Sequence, residues 1–149
     1  MRTPLIDALN VAAIYAYEVG DPSALPGLRR LGAVMSLHGI AMNGGLVGGG
    51  IENLVFSGQQ QTVNDAVEGL LWLGLADVAA LVARARDEYQ RFRPTGYEDI
   101  SAEDVHIWSE LDDSFFELAP YDRLERAVSA RLQEVAPELQ PETRSAPGR

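Results

Sequence analysis

Residues 38–57 are HGIAMNGGLVGGGIENLVFS, and together with Gly58 they hold seven of the fourteen glycines in the chain. Glycine adopts positive φ at no steric cost and lets two backbone segments approach closely. Long segments with helical periodicity lie on both sides of this stretch. We therefore predict a central glycine-rich turn around which helices are arranged.

Length and composition limit the class of protein. A chain of 149 residues is long enough for one domain with a buried core. Because the chain has no cysteine, a disulfide framework, a thiolate metal site and a cysteine nucleophile are excluded, and a reducing compartment is indicated. Asp7 lies inside the first apolar segment, which argues against a signal peptide. We therefore expect a cytoplasmic protein, and acidic residues in the most apolar window, 63–82, argue against a membrane span.

The charge is strongly acidic and unevenly placed. Against twenty-two acids the chain has twelve arginines and no lysine, which gives a formal net charge of −10. Phosphate binding needs a basic surface, so the composition disfavours direct nucleic-acid binding and attachment to an anionic membrane. Residues 98–125 contain ten of the acids and one arginine, a net charge of −9, and the remaining 121 residues carry −1. One segment therefore holds nearly all of the excess charge.

Apolar residues recur at intervals of three and four residues along most of the chain, which is the pattern of amphipathic helices. The expected helix starts are Thr3-Pro4, Pro26, Thr62, Asp77, Ser101 and Pro120. The expected ends are Gly20-Asp21-Pro22, Leu73-Gly74-Leu75 and Arg93-Pro94-Thr95-Gly96. The sequence thus predicts an all-α fold, a single compact domain of about six or seven helices over residues 1–136. Residues 137–149 have too little apolar content to pack and are predicted to be a disordered tail.

Three details of these helices stay open at this point. Thr62 with Asp65, and Ser101 with Asp104, have the spacing of capping boxes. The helix after Ser101 either runs unbroken or stops before a further capping box from Ser114 to Glu117. The segment 54–56, Leu-Val-Phe, is expected to be briefly extended.

The order of several motifs indicates a family. Asn43-Gly44-Gly45 is followed by an apolar segment ending near Asn53, a helix from Ala66 to Leu75, and a helix ending Tyr89-Gln90-Arg91-Phe92. Asp112 with Phe115-Phe116 and a terminal helix come later. Over about residues 32–134 this order resembles the bacterial DNA-mimic-protein-like family, known as domain of unknown function 4375. Leu46, Val47 and three glycines stand where that family usually has a phenylalanine and an aromatic pair.

The resemblance implies a non-enzymatic, acidic, largely helical protein that imitates DNA and occupies the DNA-binding surface of a transcription factor. A second role that it implies is that of an immunity protein that neutralises a toxin. In both cases the partner is a basic protein, and homodimerisation is left open.

The acidic segment supplies candidate residues for such a partner. Residues seven apart on a helix are separated by about 10.5 Å along its axis, and three phosphate steps on one DNA strand advance about 10.2 Å. Glu103, Glu110 and Glu117 have this spacing. The alternative is a solvated helix face that keeps the protein soluble. The candidate partner-binding residues are Glu103, Asp104, Glu110, Asp112, Asp113 and Glu117.

Other chemistry has weaker support in the sequence. The glycine pair and triplet lack the lysine and the spacing of a phosphate-binding loop. His38 and His106 are far apart and have no metal-binding spacing, so each is expected to be a partly buried or surface histidine. Adjacent acids such as Asp112 and Asp113 diverge by about 100° on a helix and do not converge on one cation. We predict no catalytic residue, no metal site and no cofactor.

Two further residue types have expected structural roles. The amide of Asn43 is expected to cap the short helix that follows or to bond the turn backbone, so that Asn43, Gly44 and Gly45 form a structural motif. Trp72 and Trp108 lie in apolar stripes and are expected in the core, with an interface role as the alternative. Two functions from different classes remain: a protein-interaction domain that uses the acidic segment, and a small-ligand or enzyme domain that uses the glycines.

Overall fold

The structure is a computed structural model that describes residues 4–135, with side chains described from residue 6. Its helices are α1 (Pro4–Val19), α2 (Pro26–Gly44), a π-helical turn (Leu46–Ile51), α3 (Glu52–Phe56), α4 (Gln60–Trp72), α5 (Ala76–Phe92), α6 (Ala102–Leu118), α7 (Tyr121–Ala130) and α8 (Leu132–Val135). No strand occurs within residues 4–135. The predicted all-α single domain is therefore confirmed, and one short helix, α3, is additional to those expected.

Helix α2 lies at the centre of the domain and packs against α1, α4, α8 and the π-helical turn. Pro26 begins it at a position where the missing N–H costs nothing. Nearly every residue from Leu31 to Leu37 is buried, because neighbouring helices cover α2 on several sides. The predicted helix start at Pro26 is confirmed.

The predicted glycine-rich turn is a wide helical turn. In the π-helical turn the N–H of Gly50 donates to the carbonyl of Gly45 at 3.0 Å, five residues earlier. The turn packs against α2, α3, α5 and α6, so it lies in the interior rather than on the surface. A Cβ atom built on Gly49 would lie 2.6 Å from the backbone of Gly44 and 2.8 Å from the carbonyl oxygen of Ile40. The glycines therefore let the chain fold back tightly against the end of α2.

Several predicted boundaries hold. Gly20 and Gly74 adopt φ of 65° and 80° directly after α1 and in the connection between α4 and α5. Helix α5 ends at Phe92, before Arg93-Pro94. The expected start at Pro4 is observed, whereas the cap expected from Thr3 and the tail predicted for residues 137–149 lie outside the described residues.

Other predicted details are wrong. The segment expected to extend, residues 54–56, belongs to α3. Helix α4 begins at Gln60, and Gln59 precedes it without a side-chain cap, so Thr62 and Asp65 form no capping box. Instead the hydroxyl of Tyr17 donates to Asp65 Oδ2 at 2.6 Å and ties α1 to α4. Asp65 therefore bonds a residue distant in the chain and not the local backbone N–H that the capping-box pattern predicted.

The C-terminal part also differs from the expectation. Helix α6 runs unbroken through Ser114, so the alternative of a second capping box there is wrong. The last predicted helix divides at Arg131 into α7 and α8. Val105 was expected in the apolar stripe of α6, but 50% of it is exposed. The buried residues of α6 are Leu111 and Phe115.

The close approach at Gly49 generates a prediction with a matched control. Gly49→Ala should lower the free energy of unfolding by roughly 1–3 kcal/mol, because the added methyl group meets backbone that cannot move aside. At Gly39, in the middle of α2, an added Cβ meets no atom within 4 Å. Gly39→Ala should therefore stabilise the protein by about 0.5–1 kcal/mol. Urea unfolding measures both, and equal stability of the two variants would contradict the close packing at Gly49.

Candidate functional site

The acidic segment is held mainly by α6, which begins with a side-chain cap. Ser101 precedes the helix, and its Oγ accepts a hydrogen bond from the N–H of Asp104 at 3.1 Å. The predicted cap at Ser101 is confirmed. Glu103 and Asp104 lie in the first turn, where the helix dipole favours negative charge.

Four of the predicted partner-binding carboxylates lie exposed on α6. Glu103, Glu110, Asp113 and Glu117 form this group, which we call the acidic surface. Between Glu103 and Glu117 the helix rises by about 21 Å, at 1.5 Å per residue. The buried residues Leu111 and Phe115 anchor the opposite side of the helix, so solvent reaches the acidic surface along its whole length.

Asp104 and His106, two other residues of α6, each lie beside an ionisable side chain. Asp104 is half-buried and its Oδ1 lies 3.0 Å from Arg91 Nη2, while the Nε of Arg91 binds Glu88 at 2.7 Å. His106 is exposed, as one of the two expected alternatives had it, and its Nε2 lies 3.5 Å from Glu110 Oε2. Asp104 is thus tied to α5 as an ion pair.

Asp112 has a different position from the other predicted carboxylates. It is half-buried, and its Oδ1 accepts a hydrogen bond from the N–H of Val47 at 2.7 Å. Burial raises the pKa of Asp112, and hydrogen bonding from the Val47 and Leu46 N–H groups opposes this by favouring the carboxylate. The first N–H groups of a helix have no acceptor within it. Asp112 therefore supplies the acceptor for the start of the π-helical turn.

Gly45 completes this contact. It precedes the π-helical turn with φ 96°, a conformation that side chains other than glycine rarely adopt. A Cβ atom on Gly45 would collide with the carboxyl group of Asp112. The glycine motif and Asp112, which lie 67 residues apart, are therefore two parts of one structural contact.

Asn43 does not cap the turn as expected. It lies exposed in the last turn of α2, and the π-helical turn has no side-chain cap at its preceding residue, Gly45. The capping group comes from α6 instead, so the prediction for the Asn43 amide is wrong. Gly44 and Gly45 keep the structural role that was expected for the motif.

Protein atoms fill the space beside the glycine triplet, residues 48–50. A Cβ on Gly48 would lie 3.3 Å from the Trp108 ring, and one on Gly50 would lie 3.0 Å from Leu37. Gly49 packs against Gly44. These contacts leave no room for a phosphate or another ligand against the glycine triplet, which argues against a ligand site built on it. Gly39, earlier in the same stretch, borders a cavity of about 770 Å³ instead.

His38, Trp108 and Trp72 each contact other parts of the domain. His38 was expected to be partly buried or at the surface, but it is fully buried, with 2% exposure, and its Nε2 lies 2.7 Å from the carbonyl oxygen of Ala119. Trp108 is half-buried and stacks on Phe92 with ring centroids 6.2 Å apart. Trp72 is also half-buried, and its Nε1 donates to Glu134 Oε1 at 3.2 Å.

The sequence did not predict the cluster formed by Arg93, Glu52 and Trp108. Arg93 pairs with Glu52, and its guanidinium lies 5.7 Å from the Trp108 ring. It also missed Phe56 and Tyr97, two aromatic residues that are well exposed. No periodicity marks these positions, since Tyr97 lies in a connection between helices and Phe56 ends a helix that was not predicted.

No group of three His, Asp or Glu side chains in residues 4–135 could hold a metal ion. None of the helices described there is both long and apolar enough to cross a membrane.

The comparisons with known proteins identify the family. The model of the DMP19-like protein family matches residues 23–134, so the chain belongs to that family. This agrees with the predicted DNA-mimic-protein-like class, whose members are generally non-enzymatic protein-interaction domains. Comparison with curated proteins and with solved structures finds no match.

Two variants distinguish the structural role of Asp112 from that of a carboxylate on the acidic surface. Asp112→Ala should destabilise the protein by roughly 1–3 kcal/mol, because the buried Val47 N–H loses its acceptor. The adjacent Asp113 is exposed, and Asp113→Ala should change stability by at most about 0.5 kcal/mol. Thermal and urea unfolding of the two variants test this. If Asp112→Ala were as stable as Asp113→Ala, the capping role would be refuted.

Proposed function

We propose that the protein is a non-enzymatic, DNA-mimic-like inhibitor that occupies the basic surface of a DNA-binding or regulatory protein. The observation that carries this proposal is the exposed row Glu103, Glu110 and Glu117 on one unbroken helix. Membership of the DMP19-like protein family supports the same class of function. The binding residues in this proposal are the acidic surface, with Asp104 at its edge.

The spacing of the row supports a mimic. Successive members are separated by about 10.5 Å along α6, close to the roughly 10.2 Å of three phosphate steps on one strand. A surface that binds a DNA backbone places basic side chains at intervals set by phosphates. The row presents carboxylates at intervals that match, so basic side chains can pair with them.

The charge distribution supports binding over solubility alone. A charge that served solubility could be spread over the whole surface, whereas residues 98–125 hold a net −9 out of −10. Such a concentrated field steers an oppositely charged protein and raises its association rate. The partner is therefore a basic protein that would be met in the cytoplasm, and nucleic acid itself would be repelled.

A toxin neutralised by an immunity protein would meet the same surface if that toxin were basic. The two roles differ in the partner and not in the binding chemistry. Isolation of the partner from the native host, at low and at high salt, distinguishes a DNA-binding regulator from a toxin.

Neutralising the carboxylate row tests whether it binds the partner. Replacing Glu103, Glu110 and Glu117 together by Gln keeps their size and should leave folding intact, because all three are exposed. Binding of the isolated partner should then slow by roughly ten-fold or more and lose much of its salt dependence. Stopped-flow or surface plasmon resonance at several salt concentrations measures both quantities.

A control variant carries the same change in net charge elsewhere. Glu18→Gln, Glu68→Gln and Asp87→Asn are exposed positions outside residues 98–125, and together they also change the net charge from −10 to −7. This control should bind nearly as fast as the original protein. If the two triple variants were equally affected, or if neither were, the acidic surface would not be the binding site.

A further inference from the structure

A cavity beside the acidic segment is lined by two exposed aromatic rings. It has a volume of about 360 Å³ and lies where α3, α5 and the segment 93–101 meet. Phe56 and Tyr97 line it, with 54% and 85% of each residue exposed and ring centroids 6.3 Å apart. Exposed aromatic residues beside a cavity are typical anchors of protein interfaces. The volume is at the low end for ligand sites, which suits one side chain of a partner.

The segment that carries Tyr97 is held in place by several hydrogen bonds. Thr95 Oγ1 donates to Glu98 Oε2 at 2.6 Å, and the Nε of Arg93 donates to the carbonyl of Glu98 at 3.1 Å. Gly96 has φ 90°, and a Cβ there would lie 3.4 Å from the Phe56 ring. Tyr97 therefore extends into solvent from an ordered backbone, so little backbone entropy is lost when it binds.

The charges around the cavity favour a cation. The Glu98 carboxylate lies beside the cavity, because it accepts hydrogen bonds from Thr95, which lines it. Arg93 also lines the cavity, but its charge is compensated by the ion pair with Glu52 and its guanidinium lies over Trp108. The faces of aromatic rings attract cations, and an arginine guanidinium stacks on them better than a lysine ammonium does.

The cavity also lies near the acidic surface. Glu103 follows Tyr97 by six positions in the chain, so their Cα atoms are at most about 22 Å apart. A protein interface of common size covers about 800 Å² on each partner, which is wide enough to include both. One partner can therefore contact the aromatic pair and Glu103, the first member of the carboxylate row, together.

We propose that the cavity between Phe56 and Tyr97 binds an arginine side chain of the basic protein partner, next to the carboxylate row. This inference rests on the proposed function, since it assumes that partner. It adds an aromatic anchor to an electrostatic surface: the carboxylates attract the partner, and the rings hold one of its arginines.

A peptide titration tests the cavity without the partner. The probes are acetyl-Gly-Arg-Gly-amide and the same peptide with citrulline, which keeps the shape of arginine and lacks its charge. Addition of the arginine peptide to ¹⁵N-labelled protein should shift the amide resonances of Gly96 and Tyr97 to saturation. The citrulline peptide should bind roughly two- to five-fold more weakly or worse, because it forms no cation–π contact.

Variants locate the binding. Tyr97→Ala should abolish the saturable shifts without lowering the melting temperature, because the ring is mostly exposed, and Tyr97→Phe should retain them. Tyr15 is a comparably exposed tyrosine on α1, with 66% exposure, and Tyr15→Ala should leave the shifts unchanged. The proposal is overturned if citrulline binds as well as arginine, or if Tyr97→Ala still binds the peptide.

The same titration separates this inference from the proposed function. In the variant with Gln at positions 103, 110 and 117, the shifts at Gly96 and Tyr97 should persist. If that variant also bound the isolated partner normally, the role of the acidic surface would be refuted and the arginine site would stand. If the arginine peptide instead shifted resonances along α6 alone, the arginine site would be refuted.

Discussion

The hydrogen bond from the Val47 N–H to the Asp112 carboxylate ties α6 to the π-helical turn in the interior of the domain. On one side of this bond lies the π-helical turn, which packs against α2, α3 and α5, and on the other lies α6. Because Gly45 has no side chain, the carboxylate can approach the backbone closely. Burial raises the pKa of Asp112, although the Val47 N–H favours the carboxylate. The oxygen accepts this N–H in either protonation state, but ionisation as pH rises through the raised pKa costs part of the stability that the contact provides.

This contact determines which carboxylates of α6 remain accessible. With Asp112 turned toward the glycines and Leu111 and Phe115 buried, Glu103, Glu110 and Glu117 remain exposed to solvent. A single helix therefore joins the domain through one face and presents negative charge on the other. Leu111, Asp112 and Phe115 serve the first task, and the exposed acids are available for the second.

The sequence predicted well those features that depend on local chemistry. Pro26, Ser101 and the residues 73–75 act within one turn of their own position, and each is where the pattern placed it. Features that depend on distant partners were missed. Asp112 has the same local signature as Asp113, and only its partner at Val47 distinguishes the two. Asp65 was assigned to a cap but bonds Tyr17, 48 residues away, and the aromatic pair Phe56 and Tyr97 meets only through the fold.

Amide hydrogen exchange at Val47 tests the central contact most directly. The account predicts that the Val47 amide exchanges slowly in the native protein. In Asp112→Ala, at a temperature where the variant is folded, it should exchange at least ten-fold faster, whereas the Gly50 amide, which bonds Gly45, should change much less. Rapid exchange of Val47 in the native protein, or equal protection with and without the Asp112 carboxylate, would contradict the account.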